Sequence, residues 1–320
     1  MSEISATVVQ ASTTVHGKTV WTMSLKYGLI VHAELLRHRL LAHSVKSNRA
    51  IEPHRIRREV IQDPYIPVKF GGNQRGMIAK GESMNANLAR KIWLAGRYLA
   101  CGVHWCLDKL GIHKEVCNRV LNPWQWVRET MTFTEADNLF NLRLHFAAQK
   151  DIQQLVLKIK ESMENYENIM ILSYGDWHVP YVTRQTVDGK LCYFDNNGRE
   201  LSAEEAKQCS MARCARSSYD NHDGTKCTYD TPVKPGMRTD KELYESLMVD
   251  RPLHASPGEH VATPMAYPVI SPDAIVTTAF AEKGVTHVDS RMRLWSGNLQ
   301  GWIQARHLME GESCWNYQGQ

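Results

Sequence analysis

The chain has 320 residues, 38 Lys+Arg against 34 Asp+Glu, 43% apolar residues, 22% charged residues and eight Cys. That composition excludes a disordered or collagen-like chain, and a net charge of +4 is too small to name a nucleic-acid partner. No run approaches the roughly 18 apolar residues of a membrane span. No export leader opens the sequence and the Cys are too sparse for a disulfide scaffold, so we expect a cytoplasmic protein with reduced thiols and no membrane partner.

Residues 7–31, rich in Val and Thr, read as extended structure with a turn at His16-Gly17-Lys18. From Ala33 the pattern turns helical, with Leu35, Leu36, Leu40 and Leu41 around the run Arg37-His38-Arg39. Residues 52–82 carry Pro53, Pro64, Pro67 and repeated Gly, and read as a long loop. A strong helix is expected from Asn85 to Leu110, with Leu88, Ile92, Trp93, Ala95, Tyr98 and Leu99 at helical spacing, followed by a short helix over 112–121. A second long helix is expected from Glu135 to Tyr166, capped by Thr134 and Asp137. Residues 174–200 hold two short strands around Asp188-Gly189, and Ser202 starts a helix that ends near Cys214. Thr239 and Glu242 form a capping-box pattern before another helix, and the last sixty residues mix loop and short strands. Together these predict one α+β domain over 1–320, with long helices packed on a mixed β-sheet. The helices 85–110 and 135–166 would form its core. Asn-Asn-Gly-Arg at 196–199 divides it into halves 1–195 and 196–320.

Dinucleotide-binding, P-loop, GxSxG and HExxH patterns are absent. Cys101/Cys106 and Cys209/Cys214 are spaced too widely for usual structural zinc, so no metal site is expected. Arg37-His38-Arg39 is unusual because successive helical residues point about 100° apart. Three such side chains cannot share one face, so at least one turns toward packed structure or an anion. Ser47, Asn48 and Arg49 follow in a donor-rich turn suited to phosphates and pyrimidine edges. Arg119 precedes Pro123, and Arg143 sits beside Leu142 and Leu144. His254, Ser256, Glu259 and His260 crowd one tight Pro-Gly loop.

Arg37-His38-Arg39, seven residues and then Ser47 resemble the RHR-x7-S signature of flavin-dependent thymidylate synthases. Four further segments resemble marks of the same family. They are Arg119-x3-Pro123, Asn138-x4-Arg143-x5-Gln149, Ala215-Arg216-Ser217-Ser218-Tyr219, and His254-x-Ser256-Pro257-x-Glu259-His260. The last two follow RHR-x7-S here, whereas they precede it in the common bacterial form. The chain is most similar to longer, phage-type members, which share the loop 72–77, the Trp177-His178-Val179-Pro180 segment and Gly297–Gln304.

The resemblance implies a homotetramer with active sites shared between chains, located in the host cytoplasm if phage-encoded. It implies methylation of dUMP to dTMP, with methylenetetrahydrofolate as carbon donor and FAD reduced by NADPH. Carried onto matching positions, Arg37, His38, Arg39, Asn138, Ser218, His254, Ser256 and Glu259 would bind FAD. Glu34, Ser47, Arg49, Arg119 and Arg143 would hold the nucleotide, with Ser47 and Arg143 nearest the chemistry. Arg143 would stabilise charge growing on the pyrimidine, and no Cys nucleophile is needed.

The chain departs from the family pattern at Glu34, Val45-Lys46, Thr132, Thr134 and Ala147. Glu34 stands where many members have Gln. An ionised carboxylate only accepts hydrogen bonds, so it fits a cytosine amino group better than a uracil carbonyl. Glu34 is therefore either the partner of a neighbouring Arg or a sign of a dCMP substrate or a hydroxymethylated product. A different class, an RNA- or DNA-binding protein, would use the basic stretch 37–58, Arg37-His38-Arg39 included, with Arg55, Arg57 and Arg58 supplying phosphate contacts.

Overall fold

The Val/Thr-rich start folds as a hairpin, β1 (Ser5–Thr14) and β2 (Thr19–Gly28), closed around Gly17 in the left-handed region. The computed structural model describes residues 2–216, 228–232, 236–249, 253–266 and 282–314. A single turn, α1 (His32–Leu35), leads to β3 (Ala42–Val45) and α2 (Pro53–Gln62). The small pair β4 (Gly71–Gly72) and β5 (Lys80–Glu82) precedes α3 (Ala86–Lys109) and α4 (Lys114–Cys117). A 3-10 segment, Asn118–Trp124, runs into β6 (Trp126–Phe133), then α5 (Asp137–Arg143), α6 (Lys150–Glu164) and β7 (Ile169–Leu172).

After β7 come β8 (Thr183–Val187), β9 (Lys190–Phe194), β10 (Glu200–Leu201) and α7 (Ala203–Ala215). After α8 (Asp240–Met248) come β11 (Ala262–Pro264), β12 (His287–Val288), β13 (Leu294–Ser296), β14 (Leu299–Gln300) and β15 (Trp302–Gln304). The α+β expectation agrees with this order. The main sheet is mixed, in the order β3-β6-β2-β1-β7, with only the β1–β7 pair parallel.

This sheet has two unlike faces. One carries Met23, Leu25, Tyr27, Val127, Met131 and Phe133, and is covered by Ile152, Leu155, Val156 and Ile159 of α6, all fully buried. A bulge between Val8 and Gln10 keeps Val8 and Ala11 on that side while turning Gln10 and Ser12 to the other. The other face shows Ser12, Thr22, Thr130, Thr132 and Ser44, and is met by His178, Tyr181 and His260 from the chain after β7.

Three expectations need correction. Residues 52–82 are not all loop, because Pro53 sits at the first turn of α2, where its missing N–H costs nothing, and Ile56 and Val60 are buried one turn apart. The helix expected over 135–166 is broken. Thr134 does not cap α5; its hydroxyl instead accepts the Gln300 N–H at 2.9 Å. Between α5 and α6, Gln153 donates to the carbonyls of Leu144 and His145 at 3.1 and 2.9 Å, which satisfies groups a longer helix would have paired. Finally, α3 forms as expected but lies outside the main core. It buries Cys101 and His104 and leaves Leu88, Ile92, Leu99 and Val103 exposed. The capping boxes at Ser202–Glu205 and Thr239–Glu242 are both present.

Residues 63–70 are pinned at Tyr65 and Val68. Tyr65 is fully buried, donates its hydroxyl to Asp151, and accepts the Trp93 indole N–H at 2.9 Å. Gly28 packs directly on the Tyr65 ring, so a Cβ there would overlap ring carbons that have nowhere to go. Gly28→Ala should therefore cost about 1–3 kcal/mol, measured by urea denaturation. A loss under a few tenths would show that the ring can move.

Candidate active site

The break after α5 places Arg143 at a helix C-terminus, where a cation meets the negative end of the helix. Its Nε donates to His38 Nε2 at 2.9 Å. Its two terminal nitrogens donate to the Glu34 carboxylate at 3.1 Å and to the Glu34 backbone carbonyl at 3.3 Å. A guanidinium has five N–H donors, so these three contacts fix its plane and leave two donors over. Of the run Arg37-His38-Arg39, His38 is buried while the two Arg are exposed, in turns after α1 rather than in a helix. Neither Arg37 nor Arg39 has a side-chain partner among the described residues. Burial lowers the proton affinity of His38, and Arg143 and His43 lower it further, so His38 is a neutral acceptor for Arg143.

Behind His38 lies a buried carboxylate that the sequence pattern did not reveal. The side chain of Glu129 is fully buried and bonds both the Tyr27 hydroxyl and His43 Nδ1. Tyr27 also meets His32 Nδ1 at 2.7 Å. His43 Nε2 is buried with no hydrogen-bond partner among the described residues.

Ser47, Arg49 and Arg119 form a separate group. Ser47 is exposed, and its hydroxyl accepts the Arg49 backbone N–H at 3.3 Å. Arg49 and Arg119 are exposed and converge on Glu115 of α4. The former lies 3.6 Å from its carboxylate, and the latter donates to its carbonyl at 2.9 Å. Asn118, unforeseen from sequence, holds this turn by donating to the carbonyls of Asn48 and Ile51, both at 2.9 Å, and pairs with His104 at 3.0 Å. No hydrogen bond or ion pair among the described residues joins this group to Arg143. The basic stretch 55–58 is not a continuous patch, because Arg57 turns inward to Asp108 at 3.2 Å.

The segment 254–260 reaches β3 through its last residue. His260 bonds Ser44 at 2.8 Å and Thr132 at 2.9 Å. Thr132 meets Thr22 at 2.7 Å, Thr22 meets His178 at 2.9 Å, and His178 meets Ser12 at 2.7 Å. A row of hydroxyls on four neighbouring strands is thus stapled by two buried imidazoles, His178 ahead of β8 and His260 ahead of β11. Burial lowers the pKa of His260 to about 3 and puts that of His178 well below its ordinary value. His254 and Ser256 are exposed, as is Asn138 on α5. Glu259 is engaged by Arg306, which also bonds Glu312 at 2.8 Å. Gln304 donates to the Glu259 carbonyl at 3.2 Å, which ties the 297–304 segment to the same loop. Ser218 lies outside the described residues. Arg216, two positions before it, is buried on Asp240 at 3.0 Å.

No family model matches the chain, and no curated protein sequence matches it. Among solved structures, a UMP/dUMP methylase, PolB, from Streptomyces cacaoi bound with 5-Br dUMP is 14% identical with a TM-score of 0.40, over 51% of this chain and 90% of that one. The same protein bound with 5-Br UMP is 13% identical with a TM-score of 0.39, over 51% and 89%. The flavin dependent thymidylate synthase ThyX from Helicobacter pylori, complexed with FAD and dUMP, is 16% identical with a TM-score of 0.32, over 45% and 67%. No helix among the described residues is long and apolar enough to cross a membrane.

Proposed function

We propose that the chain is a flavin-dependent methylase of a pyrimidine deoxynucleotide, converting dUMP to dTMP with methylenetetrahydrofolate as carbon donor. The observation that carries this reading is convergence. His38 of RHR-x7-S bonds Arg143 of the Asn138–Gln149 segment, and His260 of the 254–260 segment bonds Ser44, three residues before Ser47. Segments whose order along the chain is rearranged still meet. The two unused donors of Arg143 would hold pyrimidine carbonyl oxygens and stabilise negative charge developing on the ring. Ser47 would orient the nucleotide, and Arg49 and Arg119 supply cations for its phosphate. The Glu34 carboxylate is occupied by Arg143, which favours its reading as a counter-ion and dUMP over dCMP.

Arg37 and Arg39 offer exposed guanidinium donors without a side-chain partner among the described residues, which fit the diphosphate of FAD. FAD, reduced by NADPH, would supply the electrons of the methylation. Donors exposed on one chain suit a cofactor held between chains, and the exposed apolar face of α3 is a surface that a homotetramer could cover.

The purified protein should be yellow and should turn over dUMP but not dCMP when the two are assayed in parallel. Turnover of dCMP alone, or a hydroxymethylated product, would replace dUMP methylation with the second reading of Glu34. Arg143→Ala should weaken dUMP binding about 100-fold, as expected for losing two charge-assisted bonds, and leave flavin bound. Unchanged dUMP affinity would overturn the site assignment.

A further inference from the structure

A second concentration of cations lies away from Arg143, where the ends of β2, β3 and β6 meet α2. A cavity of about 280 Å³ opens there, lined by Lys26, Lys46, Arg55 and Arg128 with two carboxylates, Glu59 and Asp63. Its apolar wall includes Trp124, Trp126 and Ile51. Lys46 precedes Ser47 in sequence, but the lining includes none of Ser47, Arg49, Arg119 and Arg143.

The charges in this cavity are incompletely matched. Lys46 is paired with Glu59 at 2.6 Å, and Asp63 accepts the Ser2 N–H at 2.8 Å. Among the described residues Lys26 bonds only the neutral Ser2 hydroxyl, and it lies 5.2 Å from the Trp126 ring centre. Arg128 is half-buried, and its guanidinium has no hydrogen-bond or ion-pair partner among the described residues. The Trp126 indole N–H is buried without an acceptor among them. Burial lowers the pKa of Lys26, and Arg128 and Lys46 lower it further against the pull of Asp63. Partly buried cations that repel one another, beside unused donors, are stabilised by an anion. The volume exceeds that of a bare phosphate and falls just below the usual range of ligand pockets, roughly 300–1,000 Å³.

We propose that this cavity binds a phosphate monoester carried on an aromatic ring system, of the nucleoside monophosphate class. The phosphate would sit between Arg128 and Lys26, and the ring against Trp124 and Ile51. The site is independent of the Arg143 cluster, and 5′-AMP, which has no pyrimidine, probes it directly. In calorimetric titrations of the full chain, 5′-AMP should bind at least tenfold more tightly than inorganic phosphate or adenosine. Arg128→Gln should weaken 5′-AMP at least tenfold, and Lys26→Gln should do the same through a second cation. Arg143→Ala should leave 5′-AMP binding unchanged. The proposal is overturned if 5′-AMP binds no tighter than phosphate or adenosine, or if folded Arg128→Gln and Lys26→Gln both keep its affinity within twofold.

Discussion

Asp240→Ala should lower the unfolding free energy by about 3–5 kcal/mol. The Asp240 side chain is fully buried and takes Arg213 Nε at 2.9 Å and Arg216 at 3.0 Å, both guanidiniums themselves buried. The Cys209 thiol also approaches it at 3.2 Å. Deleting the carboxylate leaves two buried positive charges without their counter-ion, with only neutral acceptors such as the Tyr181 and Arg238 carbonyls to offset their desolvation. Asp240→Asn should lose nearly as much, because it keeps the shape and removes the charge. The half-exposed pairs of Arg199 with Glu205 and Asp230 are a useful contrast, since breaking exposed pairs costs about 0–1 kcal/mol. Urea denaturation of Asp240→Ala, Asp240→Asn and Arg199→Ala separates these cases. An Asp240→Ala loss below 1 kcal/mol would mean that the α7–α8 junction does not depend on the triad.

The second large effect is on pH. Unfolded, His178 and His260 would titrate near 6.5. Folded, both are neutral and buried against hydroxyls. His178 is faced by Arg184 and His260, and His260 by His43, and among the described residues no carboxylate acts on either to favour a proton. As pH falls below about 6.5, the unfolded chain binds protons that the folded chain refuses, and stability falls. For His260 the loss continues until pH reaches its folded value of about 3. At pH 5 this imidazole alone accounts for on the order of 2 kcal/mol, and His178 acts in the same direction. His32, His38 and His104 are shifted the same way and steepen the slope. Denaturation midpoints at pH 7, 6 and 5 should decline steadily, and His260→Gln should flatten part of that decline. Equal midpoints from pH 7 to 5 would show that these imidazoles are not buried neutral.

Local signals in the sequence carried much of this architecture. The hairpin, α3, α7 and α8 follow from alternation, 3.6-residue spacing and capping boxes, which are short-range effects. The motif residues His38 and Arg143 were visible as chemistry, though not as neighbours, because 105 positions separate them. Where local rules misled, a tertiary reason is identifiable. Pro53 looked like a helix breaker and is instead an allowed first-turn residue of α2. The apolar stripe of α3 looked like core and lies on the surface. The alternating Thr and Ser of β2 and β6 have the pattern of a solvent-facing edge, so nothing nearby in sequence announced that His178 and His260 cover them. Glu129 was hidden for the same reason, since a lone carboxylate in an apolar strand gains its meaning only from Tyr27 and His43.

The unlike faces of the main sheet also bear on how the protein can vary. On the α6 side, contact is by shape, and apolar residues of similar volume can be exchanged with little loss. On the hydroxyl side, contact is by direction. Each Thr or Ser is held to a particular imidazole or neighbouring hydroxyl, and an isosteric Val at Thr22 or Thr132 would silence two bonds at once. One side of the same strands can therefore drift while the other stays nearly frozen, residue by alternate residue.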